Sequence, residues 1–149
     1  MKELYTINSD VSIELIETEL MELIQMTESI LITIYDELLM NIEGSHKQRF
    51  VTMLLKQMQE VKMLHAHLYK GDIENPSEKA VFELNSDIPP DDLRLKFTES
   101  AFLLGSICHL GAYEVLIGEI NNDLANTLSI VNKCTKKIVH IIEQLNLRN

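Results

Sequence analysis

Apolar residues recur along nearly the whole chain at intervals of three and four, and strand-type alternation is absent. The first such run begins near Ser9 or Asp10, either of which can cap a helix. It continues through Ile13, Ile16, Leu20, Leu23, Thr27, Ile30, Ile34 and Leu38, the seam spacing of a helical bundle. A second stripe of Met21, Ile24, Glu28, Leu31 and Tyr35 widens that face and places Glu28 within it. Gly44 is suited to end this helix and Ser45 to cap the next. The second run carries Phe50, Leu54, Gln57, Val61, Leu64 and Leu68 and stops near Gly71.

Residues 71–90 hold all three prolines, Pro76, Pro89 and Pro90, and read as a long irregular connection across the end of a bundle. Within it, Val81-Phe82-Glu83-Leu84 predicts a short packed turn. A third helix opens at Pro90-Asp91-Asp92, where proline and acids favour a first turn. It is apolar nearly all round from Ala101 to Ile120, which predicts the most buried element. A break at Asn121-Asn122 leads to a fourth, with Leu124, Leu128, Val131, Ile138, Ile141 and Leu145. The pattern predicts one all-α domain, an up-and-down four-helix bundle with helices at about 10–43, 46–70, 91–120 and 122–147, and a long crossover between the second and third.

Charge refines the pairing. Residues 1–43 carry ten acids against Lys2 alone, whereas from His46 to Tyr69 Glu60 is the only acid beside Lys47, Arg49, Lys56 and Lys62. An acidic helix followed after a short turn by a basic one predicts an antiparallel pair with attracting flanks. The net charge of −10 argues against a nucleic-acid partner. Cys108 and Cys134 show no ligand spacing and read as small hydrophobes of a reducing cytosol. Met1-Lys2-Glu3-Leu4 has no signal-peptide pattern, and Ala101–Ile120, though about the 20 residues a span needs, contains His109, Glu114, Glu119 and three glycines. The expectation is a cytoplasmic protein outside the membrane.

Several residues stand out as candidate chemistry. Glu28 and Glu99, 71 positions apart, each precede a serine and an apolar run, and a carboxylate in such surroundings needs a partner. Glu99, Phe102, Ser106, His109 and Tyr113 share one face of the third helix, with His109 and Tyr113 expected to hydrogen-bond across the core. A small-residue stripe of Ala101, Gly105, Cys108 and Ala112 lets another helix approach closely, inside the bundle or across an interface between copies. His65 and His67, two apart, point to different faces, and the seven methionines read as pliable core filler. Neither a nucleophile arrangement nor a phosphate-cradling glycine loop is evident.

Two helical hairpins with a crossover and inward glutamates resemble ferritin-like proteins, whose di-iron members supply a Glu from each of two helices and Glu-x-x-His from each of the other two. Here the only Glu-x-x-His, Glu43 to His46, straddles the first turn. The second helix reads Glu60-Val61-Lys62-Met63 and the fourth Lys137-Ile138-Val139-His140, each with half of the motif. Within that superfamily the chain resembles the small YciF-like bacterial proteins in the spacing of Glu28, Phe50 and Glu60. Gly111-Ala112-Tyr113-Glu114-Val115-Leu116-Ile117 is similar to that family's small-small-Tyr-Gly-Thr-Leu-Ile, with Asp92-Leu93-Arg94 at the matching distance upstream. The family's acid-His-aromatic-acid run is replaced by Ser106-Ile107-Cys108-His109, and Glu60 stands where a histidine belongs, so the resemblance implies a member that has lost most of its metal ligands.

The expected function is therefore non-enzymatic: a ferritin-like helical bundle acting through protein–protein contact, as a homodimer using Ala101, Gly105, Cys108 and Ala112. One alternative is an iron or manganese protein with Glu28, Glu60, Glu99, and His109 or His140 as ligands. Another is a regulatory or immunity-type bundle presenting its acidic first helix to a basic partner.

Overall fold

A computed structural model of the protein describes residues 6–41, 46–69, 84, 85, 87–110 and 122–148. These form four helices: α1 (Ile13–Asn41), α2 (His46–Tyr69), α3 (Pro90–Leu110) and α4 (Asn122–Arg148). No strand occurs among the described residues. The four predicted elements are present. The Gly44-Ser45 break, most of the predicted turn at 81–84 and the predicted extension of the third helix to 120 lie outside the described residues, as do Ala112 and Tyr113.

Each helix packs against two neighbours, in the ring α1, α2, α3, α4 and back to α1. Side-chain pairs give the directions. Lys62 reaches Glu28 across α1 and α2, and only four residues separate Asn41 from His46. Across α2 and α3, Tyr69 meets Phe97 while Gln57 meets Ser100. Arg148 at the end of α4 bonds to Val11 ahead of α1, and Cys134 meets Thr27. These neighbours are therefore antiparallel, and α3 must then oppose α4. Because Tyr69 and Phe97 lie together, the end of α2 and the first turns of α3 are at the same end of the bundle.

The core is the meeting of four stripes. From α1 come Ile16, Leu20, Leu23, Ile24, Leu31 and Ile34, with Thr27 buried among them. Thr27 keeps its hydroxyl satisfied by donating to the Leu23 carbonyl at 2.7 Å. Ile13, placed on the seam by spacing, is instead at the exposed first turn. From α2, Val51, Met58 and His65 join the predicted Leu54, Val61 and Leu64. From α4, Ile142, Asn132 and Thr135 join Leu128, Val131, Ile138, Ile141 and Leu145.

The cap of α1 is Ser12, not Ser9 or Asp10. Ser12 Oγ accepts the Leu15 amide at 3.2 Å. Ser9 and Asp10 lie inside a preceding turn, in which the Asp10 amide donates to Asn8 Oδ1 and the Val11 amide to the Asn8 carbonyl. The Arg148 guanidinium donates to the carbonyl of Val11 at 2.7 Å and to that of Asn8 at 3.5 Å. A residue near the other terminus thus pins the turn that sets the start of α1.

Helices α3 and α4 are in close contact at Gly105. A Cβ built there would stand 2.5 Å from Thr135 Oγ1 and 3.2 Å from Thr135 Cβ, so this contact needs a residue without a side chain. Thr135 is held in place by donating to the Asn132 carbonyl at 2.8 Å. At the other end of α3, Phe97 packs with His65 and Tyr69, with ring centroids 5.3 to 6.0 Å apart. Burial lowers the pKa of His65 from its ordinary value and raises that of Tyr69, on which Arg94 and Glu17 exert smaller opposing effects.

Two outcomes follow. Gly105→Ala should cost about 1–2 kcal/mol in urea unfolding, overpacking outweighing the gain in helix propensity. Adding Thr135→Ala should recover part of that loss in a double-mutant cycle. A folded-state His65 that resists protonation makes the unfolded chain the better proton acceptor below about pH 6.5. The stability contribution is therefore complete above that pH and is lost as pH falls toward the lowered folded-state pKa. Melting temperature measured from pH 7.5 to 5 should fall, with a shallower slope for His65→Leu.

Candidate functional site

The five candidate metal ligands each occupy a separate environment. Glu28, half-buried on α1, receives Lys62 Nζ at 2.7 Å. This is the cross-helix attraction that the charge pattern predicts, and at its exposure it contributes about 0–1 kcal/mol. Glu99 lies exposed on α3 and pairs with Lys96 one turn earlier at 3.2 Å. His109 is exposed near the end of α3, whereas His140 is half-buried on α4. Among the described residues no three of His, Cys, Asp and Glu come together as a metal-holding group.

Glu60 belongs instead to a polar clamp between α2 and α3. Gln57 Nε2 donates to Ser100 Oγ at 2.8 Å, to the Ser100 carbonyl at 3.1 Å and to Glu60 Oε2 at 2.9 Å. Ser100 Oγ in turn donates to Glu60 Oε2 at 2.7 Å. One buried hydroxyl thus serves as both donor and acceptor, and the carboxylate closes the circuit at the rim. The arrangement sets the register of α2 against α3.

The cysteines are equally occupied by structure. Cys108 is fully buried, and burial pushes its thiol up to about 12, which keeps it protonated and unreactive. Burial also raises Cys134, against smaller opposing effects from Lys137 and a Thr27 hydrogen bond. His65 and His67 do point apart: His65 is buried, and exposed His67 bonds the Met63 carbonyl at 2.9 Å. Of the methionines, Met58 fills the core, but Met21, Met26 and Met53 are exposed. A shallow depression on α1, lined by Glu22, Gln25, Met26, Ser29 and Ile30, holds a single carboxylate beside an amide and a hydroxyl.

Two expectations about α3 change. Ala101, Gly105 and Cys108 are buried within the single bundle, so they have no surface left for a second copy. The close approach they permit is that of α4. Conversely, Glu99, Phe102, Ser106 and His109 face outward instead of across the core. The same outer face carries Leu95, Phe102, Leu103 and Leu110, exposed to 57, 65, 48 and 46%. With only two neighbours in the ring, α3 buries one flank and leaves these four side chains uncovered among the described residues. Their spacing of seven, one and seven residues was visible in the chain, but so was an equally apolar inner stripe.

Removal of the clamp hydroxyl tests its structural role. Ser100→Ala should cost about 1–2 kcal/mol in urea unfolding because the Gln57 amide and Glu60 carboxylate lose a partner. Glu60→Gln, whose side-chain oxygen still accepts, should cost less.

No protein-family profile, curated protein or solved structure matches the chain.

Proposed function

We propose that the protein is a non-enzymatic helical interaction module, and that the outer face of α3 is its contact surface. The observation that carries this reading is the cluster of Leu95, Phe102, Leu103 and Leu110, all about half exposed or more on one helix. Contiguous apolar surface of a few hundred Å2 on a small protein commonly marks a binding site. Three of the candidate ligating groups support the same reading, because Glu28, Glu60 and Glu99 each have a local partner. No described helix is long and apolar enough to cross a membrane, and we place the module in the cytoplasm.

Phe102→Glu and Leu110→Glu should reduce association at least tenfold in co-purification and in-cell cross-linking. Glu28→Gln and Glu60→Gln should leave it within twofold. Elemental analysis of the purified protein should find iron and manganese well below one per chain. Near-stoichiometric metal that disappears on Glu28→Ala would replace this reading with a carboxylate metal site.

A further inference from the structure

The four exposed residues form a pattern that reads the same in both directions. Leu95, Phe102, Leu103 and Leu110 are symmetric about the midpoint between Phe102 and Leu103. If two α3 helices lie antiparallel about a two-fold axis there, Leu95 meets Leu110 of the other copy and Phe102 meets Leu103, each pair occurring twice. An isologous contact demands this reciprocity, in which residue i meets j and j meets i. A parallel two-fold pair would also be reciprocal, but it would set each residue on its own copy and make no use of the symmetric spacing.

Charge selects the same face. Two copies that each carry −10 repel, so they can meet only where the local charge is balanced. Between Leu95 and Leu110 the charged residues are Lys96 and Glu99, already paired with each other at 3.2 Å. On α1 the exposed Leu15 and Met26 lie among exposed Glu14, Glu19 and Glu22, where self-contact would oppose carboxylate to carboxylate. In the antiparallel register Glu99 comes opposite Ser106 and Lys96 opposite His109, so between Leu95 and Leu110 no acid faces an acid.

Area is adequate for a reversible pair. Four side chains exposed to this degree supply on the order of 400 Å2 of apolar surface per copy. The exposed rim of Lys96, Glu99, Ser106 and His109 adds polar area toward the roughly 800 Å2 per partner of a standard interface. We infer that the occupant of this surface is a second copy of the chain, joined through an antiparallel two-fold contact of α3 centred between Phe102 and Leu103. The inference rests on the reading of this face as the contact surface and names its partner.

Sedimentation of the full chain from low to several hundred micromolar should show the mass rising from monomer to dimer. Phe102→Glu places two carboxylates beside the axis and should weaken the dimer at least tenfold, with the circular dichroism and melting of the dilute monomer unchanged. Register is read by a short bismaleimide in a Cys134→Ser background. Phe102→Cys lies near its own symmetry mate and should cross-link, whereas Leu95→Cys is about 22 Å from its mate along the helix and should not. A strict monomer, or equal cross-linking at both positions, overturns the proposal. A strict monomer whose Phe102→Glu variant still loses association in cells means a different protein covers the face, and the interaction reading stands. If Phe102→Glu changes neither, both fail.

Discussion

The bundle depends on one close contact, where Gly105 of α3 lets Thr135 and Asn132 of α4 approach its backbone. Without a Cβ in the way, the two helices can bring Ala101, Leu104 and Cys108 against Leu128, Val131 and Ile138 in a single core. The cost is polar: Asn132 and Thr135 are buried, and burial of such groups is tolerable only when they are bonded. Thr135 meets that demand within its own helix. The contact therefore combines close packing with locally satisfied hydroxyl chemistry, and it fixes which flank of α3 faces inward.

Once that flank is set, the opposite edge of α3 is aligned by the Gln57–Ser100–Glu60 clamp. The two contacts act differently. The glycine contact is steric and sets how close α3 and α4 can come. The clamp is directional and limits sliding of α2 along α3, since a shift of one residue would break all three of its bonds to Ser100 at once. Arg148 performs a related task between α4 and the turn before α1, closing the ring with backbone acceptors instead of side-chain carboxylates.

Helix number, order and antiparallel pairing were legible because α1, α2 and α4 each show one dominant apolar flank. The attraction between α1 and α2, which Glu28 and Lys62 realise, was legible because an acidic helix precedes a basic one. Less legible was α3, which is apolar on two sides. Periodicity detects a stripe but cannot rank two stripes on one helix, so the row from Glu99 to His109 reads as inward when it is outward. Buried Ser100, Asn132 and Thr135 escaped because hydrophobic spacing discounts polar residues whose bonds are made locally or across helices. The cap at Ser12 escaped for a longer-range reason. Ser9, Asp10 and Ser12 can all cap, and the turn that decides between them is fastened by a residue more than 130 positions away.

These two kinds of illegibility explain why the candidate ligands and the candidate surface exchanged importance. A carboxylate near an apolar run draws attention because its burial would be costly, yet Glu28, Glu60 and Glu99 all find a cation or hydroxyl within hydrogen-bonding reach. Each of these contacts engages one oxygen of its carboxylate. Leu95, Phe102, Leu103 and Leu110 draw none in the sequence because apolar residues in a helix are ordinarily core. Their exposure is a cost that the isolated bundle leaves unoffset, since water must be ordered around four large side chains that the remaining three helices do not cover. A polar group with a partner is quiet, whereas the apolar side chains of this face stand exposed to water.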